Sequence, residues 1–232
     1  MNLIIVSDLH IGSRFFVNGT FEHFVGQIPE ACDLVLNGDI IDNPYMKLSP
    51  SHQRIFDLIK LLSFRQNVIW IKGNHDNGYL PDEFGNVVFK RSHSVGNRLL
   101  ITHGHDFDKI MPHNQWFMKA FMNIHAVRVK LGAKPVHVAE YAKKWEFFYK
   151  VLRKNVLTNA VKCAIENGYE AVTCGHTHYA EDTIYNGIRY INTGAWTEFP
   201  AYFIEMNKEN ILLKKVEEHP DKVKQVNAIF AN

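Results

Sequence analysis

Cysteine is scarce in this chain of 232 residues: Cys32, Cys163 and Cys174 are the only three, widely spaced and without a C-x-x-C pair. An odd, scattered set of this kind argues against a disulfide framework and fits a reducing compartment, with the three thiols as inert packing residues. Long apolar runs are missing as well. No stretch approaches the length of a membrane-spanning helix. The opening MNLIIVSDLH has no basic lead and its apolar run stops at Asp8, so it does not read as a signal peptide. The expectation is a cytoplasmic protein, able to touch a membrane from that side. No linker, low-complexity stretch or long-period repeat divides the sequence, so residues 1–232 are expected to form a single domain.

What is present is unevenly distributed. Net charge is only +2, yet residues 114–154 hold nine Lys or Arg against Glu140 and Glu146, leaving the remainder of the chain mildly acidic. Such asymmetry suggests an anionic partner for the basic segment. The same segment is helical in character, with a break marked by Gly132 and Pro135. It mixes its cations with Trp116, Phe117, Phe121, Met122, Trp145, Phe147, Phe148 and Tyr149. One reading is an amphipathic helical hairpin packed on a sheet. The other is a cap inserted at about 107–154, with an apolar inner face and a basic rim over a site.

Around it, one pattern repeats: a short apolar run of strand character followed at once by a polar cluster. NLIIVSDLH, DLVLNGDIID, NVIWIKGNHD, RLLITHGHD and EAVTCGHTH are the five cases. Every cluster falls at the carboxyl end of its strand, the edge where open α/β sheets bind ligands. Helical signals lie between, the clearest having Ser49 as N-cap, Pro50 at the first position and Ile55, Leu58, Ile59 and Leu62 on one face. TFEHFVGQI is a shorter helix with Thr20 as its candidate cap, and NVLTNAVKCAIENG is closed by Gly168. Beyond the last histidines, DTIYNGIRYINTG reads as a hairpin about Asn186-Gly187, and AYFIEM and ILLKKVEE as two further strands joined by NKEN. The tail HPDKVKQVNAIFAN carries little signal.

The strand-end groups are Asp8 and His10, Asp39, Asn74 and His75, His103, and His176 with His178. His176 and His178 share a face of an extended chain, since residues two apart point the same way. All the strand-end groups are of metal-ligand type, and with His75 set aside the other seven are still too many for one tetrahedral ion. They suit two divalent ions sharing a carboxylate, with positions left for water. Imidazole, carboxylate and amide oxygen without thiolate favour Mn, Fe or Zn, with Mn²⁺ first. Two such ions outweigh Asp8 and Asp39, so the site attracts anions and suits hydrolysis of a phosphate ester or anhydride. His75 is not needed as a ligand and is assigned to a phosphoryl oxygen or the leaving group. Asp42 is expected to orient His75. His105 has no role in this scheme.

The ordered set D-x-H, G-D-x-x-D, G-N-H-D, H-G-H and G-H-T-H resembles the calcineurin-like metallophosphoesterase superfamily. That resemblance implies an α/β fold, a four-layer α/β/β/α sandwich of two mixed sheets. It assigns Asp8, His10, Asp39 and His178 to one metal and Asp39, Asn74, His103 and His176 to the other, with Asp39 as the bridge. HGHDFD, the helical insertion after it, the helix leading into GHTH, and INTGAWTE beyond are similar to the UDP-2,3-diacylglucosamine diphosphatase group. Those enzymes release UMP and lipid X in lipid A synthesis and use a helical lid for acyl chains. Well-known members carry Arg where this chain has His75. Two other readings stand beside this one: a nuclease or soluble nucleotide phosphodiesterase of the same fold, and a non-catalytic metal-binding scaffold. The partner expected is a phosphorylated small molecule or lipid-linked substrate, with no nucleic acid.

Overall fold

The computed structural model describes residues 2–79, 83–111 and 115–217, without the side chains of 115–118. The expected aromatic contributions of Trp116 and Phe117, and the tail from 219, therefore lie outside the described residues. Among the described residues, eleven strands form two sheets. The first has the order β11 (Ile211–Lys215), β10 (Tyr202–Met206), β1 (Asn2–Val6), β2 (Cys32–Asn37), β3 (Val68–Ile71) and β4 (Val88–Lys90). The second runs β5 (Ser92–Val95), β6 (Leu99–Thr102), β7 (Ala171–Cys174), β9 (Ile188–Asn192) and β8 (Glu181–Tyr185). Both are mixed: β1, β2, β3 and β4 are mutually parallel, as are β6, β7 and β9, with antiparallel strands completing each sheet.

Strand periodicity explains how two sheets and two helical layers share the core. Leu3, Ile5, Val35, Ile69 and Ile71 of the first sheet pack against Leu99, Ile101, Ala171 and Ile191 of the second. Their neighbours in sequence face outward. Ile4, Val6, Leu34, Leu36, Val68 and Trp70 meet the apolar faces of α1 (Asn18–Gly26) and α2 (Pro50–Leu62). On the far side, Leu100, Val172, Cys174 and Tyr190 meet Ala160, Val161 and Ala164 of α5 (Glu146–Glu166). Runs buried on both faces must be apolar at every position, which is why the sequence shows unbroken runs rather than alternation. The result is the four-layer α/β/β/α sandwich.

Local signals hold where the chain itself sets the geometry. Ser49 caps α2 by accepting the His52 amide N–H, with Pro50 at the first position. Asn186 and Gly187 both take positive φ in the two-residue β8–β9 turn. Gly168 ends α5 with φ at +74°. The cap of α1 differs from expectation: the helix begins at Asn18 after Val17, and Thr20 is a buried residue inside it. The insertion contains α3 (Gln115–Lys130) and α4 (Val138–Ala142), with the expected break between them. α5 passes residue 154 without interruption, so the end of the insertion and the helix that covers the second sheet are one element.

Candidate metal centre

The five expected clusters meet at one place because β1, β2 and β3 end beside one another in one sheet and β6 and β7 in the other. Backbone hydrogen bonds lock the loops that follow. The Asp8 amide donates to the Gly38 carbonyl, the His10 amide to that of Asp39, and the Gly175 amide to that of His103. Six described non-glycine residues have positive φ: Asn186 in its hairpin, and Asp8, His10, Asp39, His176 and His178 at 50–63°. Such conformations cost about 1–3 kcal/mol each and persist only where the surroundings over-determine them. Here they turn each side chain back over the sheet ends. Two glycines permit the close approach. A Cβ on Gly73 would overlap the Asp39 carboxylate, and one on Gly175 would overlap that of Asp8.

Among the described residues three groups of ligand atoms each lie within 4.8 Å: His10 with Asp42 and His75 is one, and the two that hold a buried carboxylate are Asp8 with His10 and His178, and Asp39 with His103 and His176. Asp39 acts electrostatically on histidines of both, His103 and His10. Asn74 joins the second group, its Oδ1 lying 3.1 Å from His176 Nδ1. Asp8 and Asp39 are 0% and 2% exposed, and carboxylates taken this far from water require positive partners. The His176 amide donates to both Asp8 oxygens at 3.1 and 3.2 Å, and the His75 amide to Asp39 Oδ1 at 2.8 Å. The remaining acceptor capacity faces imidazole: His178 Nε2 is 3.2 Å from Asp8 Oδ1, and His103 Nε2 is 3.1 Å from Asp39 Oδ2.

Neighbouring groups orient these rings. His103 Nδ1 donates to the Asn37 carbonyl at 3.0 Å, and His10 Nδ1 to Asp42 Oδ1 at 3.0 Å. In the neutral rings both Nε2 atoms then present lone pairs to the cluster. Burial acts to lower the His103 pKa, but the buried Asp39 and Asp8 carboxylates outweigh it and hold it up at about 10. Burial likewise acts to raise Asp39, and the charge of His103 outweighs it to hold the carboxyl well below its usual range. His10 Nε2 lies 3.1 Å from His178 Nε2, and buried His178 Nδ1 has no hydrogen-bond partner among the described residues. Facing imidazole nitrogens beside buried carboxylates need a proton or a cation between them. The donor set therefore fits divalent ions, chemically and in its placement.

All nine expected residues are at this centre, with one change of role. Asp42 orients His75 through its main-chain carbonyl, which accepts His75 Nδ1–H at 2.8 Å, while its carboxylate is engaged by His10. His105 lies just outside, its ring 5.4 Å from that of His103 and 6.5 Å from that of His176. Burial and the neighbouring imidazoles lower its pKa.

Three residues escaped the sequence reading. Asp108 accepts His176 Nε2 at 2.9 Å, and its other oxygen holds the Ile110 and Met111 amides. Asp76 is buried and accepts four donors, the amides of Ile40, Ile41 and Gly73 and the indole N–H of Trp70, so it joins the β2 and β3 loops. Its neighbours in GNHD were the available clue. His137, from the insertion, stacks on His178 with ring centroids 5.4 Å apart and lies 5.2 Å from His10. Burial and the neighbouring His178 and His10 push its pKa down to about 3.

The insertion is tied down beside the centre. The Tyr149 hydroxyl donates to the Thr177 carbonyl between the two histidines, and Lys143 pairs with Glu198. Arg153 pairs with Glu181 and lies 3.3 Å from the centroid of the Tyr179 ring.

Solved structures similar to this chain include three at low identity. Yfce, a phosphoesterase from E. coli, is 15% identical, with 94% of this chain and 100% of that one covered and a TM-score of 0.48. Vps29 from Entamoeba histolytica is 13% identical over 94% and 100%, with a TM-score of 0.47. A predicted phosphoesterase from Streptococcus pneumoniae is 16% identical over 94% and 92%, with a TM-score of 0.44. No curated protein matches the chain. The model of the calcineurin-like phosphoesterase family matches residues 1–180, the span that holds the whole cluster, and the chain belongs to that family of metal-dependent phosphoester hydrolases.

Proposed function

We propose that the substrate is a lipid-linked nucleotide diphosphate such as UDP-2,3-diacylglucosamine, cleaved at its pyrophosphate to UMP and lipid X, with Mn²⁺ as the metal. Asp8, His10, Asp39 and His178 would hold one ion and Asp39, Asn74, His103 and His176 the other, with Asp39 common to both sets. Ions bound there supply Lewis acidity and an acidified water. The chain's own groups do the positioning. Asp42, Asn37 and Asp108 fix the rings of His10, His103 and His176 through nitrogens turned away from their neighbours in the cluster. With Nδ1 donating to the Asp42 carbonyl, His75 has Nε2 left for a phosphoryl oxygen or for proton transfer to the leaving group.

The observation that carries the lipid reading is the insertion anchored at this site. Leu131 and Phe147 are 82% and 84% exposed, Met122 and Val127 each 54%, amid a strong excess of Lys and Arg. Exposed apolar side chains among cations complement acyl chains, a diphosphate and an anionic membrane surface. The proposed location follows: cytoplasmic, touching the inner membrane through this face. No helix among the described residues is long and apolar enough to cross a membrane.

The test is release of UMP from UDP-2,3-diacylglucosamine in detergent with Mn²⁺, beside an aryl phosphodiester and single-stranded DNA. Rapid UMP release abolished by EDTA is the expected result. Turnover of the aryl ester alone would discard the lipid substrate, and degradation of the DNA would replace it with the nuclease reading.

A further inference from the structure

His137 stands in the loop just before α4, in the insertion, yet its ring belongs to the cluster. It lies nearly flat on His178, at an interplanar angle of 19°, 5.2 Å from the ring of His10 and edge-on to Phe15 at 5.9 Å. His75, the residue assigned to the phosphoryl group, packs on the same His10 ring at 4.7 Å. The tautomer of His137 follows from its cap contact. Its Nδ1 is 3.3 Å from the Ala139 amide nitrogen. An amide N–H only donates, so Nδ1 must offer a lone pair and the ring proton sits on Nε2. That Nε2–H has no hydrogen-bond partner among the described residues. The tie of Tyr149 to the Thr177 carbonyl holds the insertion, and with it this imidazole, against the loop after β7 that carries His176 and His178, and that of Lys143 to Glu198 holds it to the loop after β9.

We propose that His137 is a substrate-contacting residue, donating Nε2–H to a phosphoryl oxygen of the substrate seated at the cluster, so that the insertion completes the reaction site as well as covering it. This rests on the reading of the strand-end cluster as the phosphoesterase site. The structural alternative is that His137 only caps α4 and fills space.

Asparagine separates the two roles. His137→Asn keeps a side-chain oxygen to accept the Ala139 amide, as a good N-cap does, but is too short to reach the phosphoryl group. The Mn²⁺-loaded variant is compared with the unaltered chain by melting temperature, bound metal, kcat and KM on an aryl phosphodiester, and competitive inhibition by inorganic phosphate. The expected result is unchanged melting and metal content, a fall in kcat/KM of about 10- to 100-fold, and weaker phosphate inhibition, the scale of a lost hydrogen bond to a charged group. Unchanged kinetics and phosphate inhibition would overturn the proposal, leaving His137 a cap. Loss of metal would also overturn it, making His137 part of the metal-holding structure. If His137→Asn does not fold, His137→Ser, also a capping residue, takes the same test. Asp39→Asn is run alongside: if it keeps full activity, the site reading itself has failed, whereas a dead Asp39→Asn beside a fully active His137→Asn sinks only the present proposal.

Discussion

At the strand ends, Asp8, His103 and Asp39 are at most 2% exposed, whereas on the insertion Leu131 and Phe147 are more than 80% exposed. The cluster is strained, with five of its backbone positions at positive φ, and each carboxylate is met by amides and imidazoles from other strands. On the insertion, Leu131 and Phe147 leave most of their apolar surface in solvent. A reaction centre must be held in one geometry, so its side chains are fixed from several sides. A surface that takes apolar chains gains from uncovered apolar area and tolerates change. On the proposed reading, chemistry and choice of substrate fall on parts of the chain that respond differently to mutation.

The sharpest way to test that division is Asp39→Asn. Loss of the buried carboxylate charge should lower activity by about a thousandfold on every substrate, consistent with several kcal/mol of lost charge stabilisation, and bound metal should fall in parallel. Retained metal and activity would place the centre elsewhere. Next in size is Asp76→Ala, which leaves the Ile40, Ile41 and Gly73 amides and the Trp70 indole without their shared acceptor. Urea unfolding should show a loss of about 3 kcal/mol. A change under 1 kcal/mol would mean the two loops are held together by other contacts.

Asp108→Asn tests support of a ligand instead of the ligand itself. Titration against a chelator should show metal affinity lowered by about 10- to 100-fold, with little effect on folding. Unaltered affinity would show that His176 needs no help. The smallest effect is expected on the insertion. Leu131→Ser with Phe147→Ser should leave aryl phosphodiester turnover within about twofold and raise KM several-fold for the lipid-linked substrate, as lost apolar contact predicts. Equal losses on both substrates would erase the contrast between the two regions.

How much of this was legible beforehand depends on distance along the chain. Ser49, Pro50 and the Asn186-Gly187 turn act on their immediate neighbours, and each is found in its expected role. β4 and β5 went unread because they are short and largely exposed, with burial alternating only weakly, so they leave no apolar run. Asp76 and Asp108 looked like ordinary loop aspartates. Their roles depend on partners as far as 36 and 68 residues away, which no local pattern contains. Asp42 shows the finer limit: its carboxylate engages His10 and its carbonyl His75, a division set by how one loop lies across another.

The sequence by itself determined the elements and the chemistry of the cluster. Apolar runs long enough for a strand, each ended by Asp, Asn or His after a tight turn, can be built into few folds, and their ligand types point to divalent metal and phosphate. Only the tertiary structure decided which ring nitrogen faces inward, which carboxylate supports which histidine, and that His137 of the insertion lies on His178. Those outcomes depend on the register between two sheets and on a helix tied across them. They are set by packing among residues far apart in the chain, where the identity of any one residue carries no information about its partner.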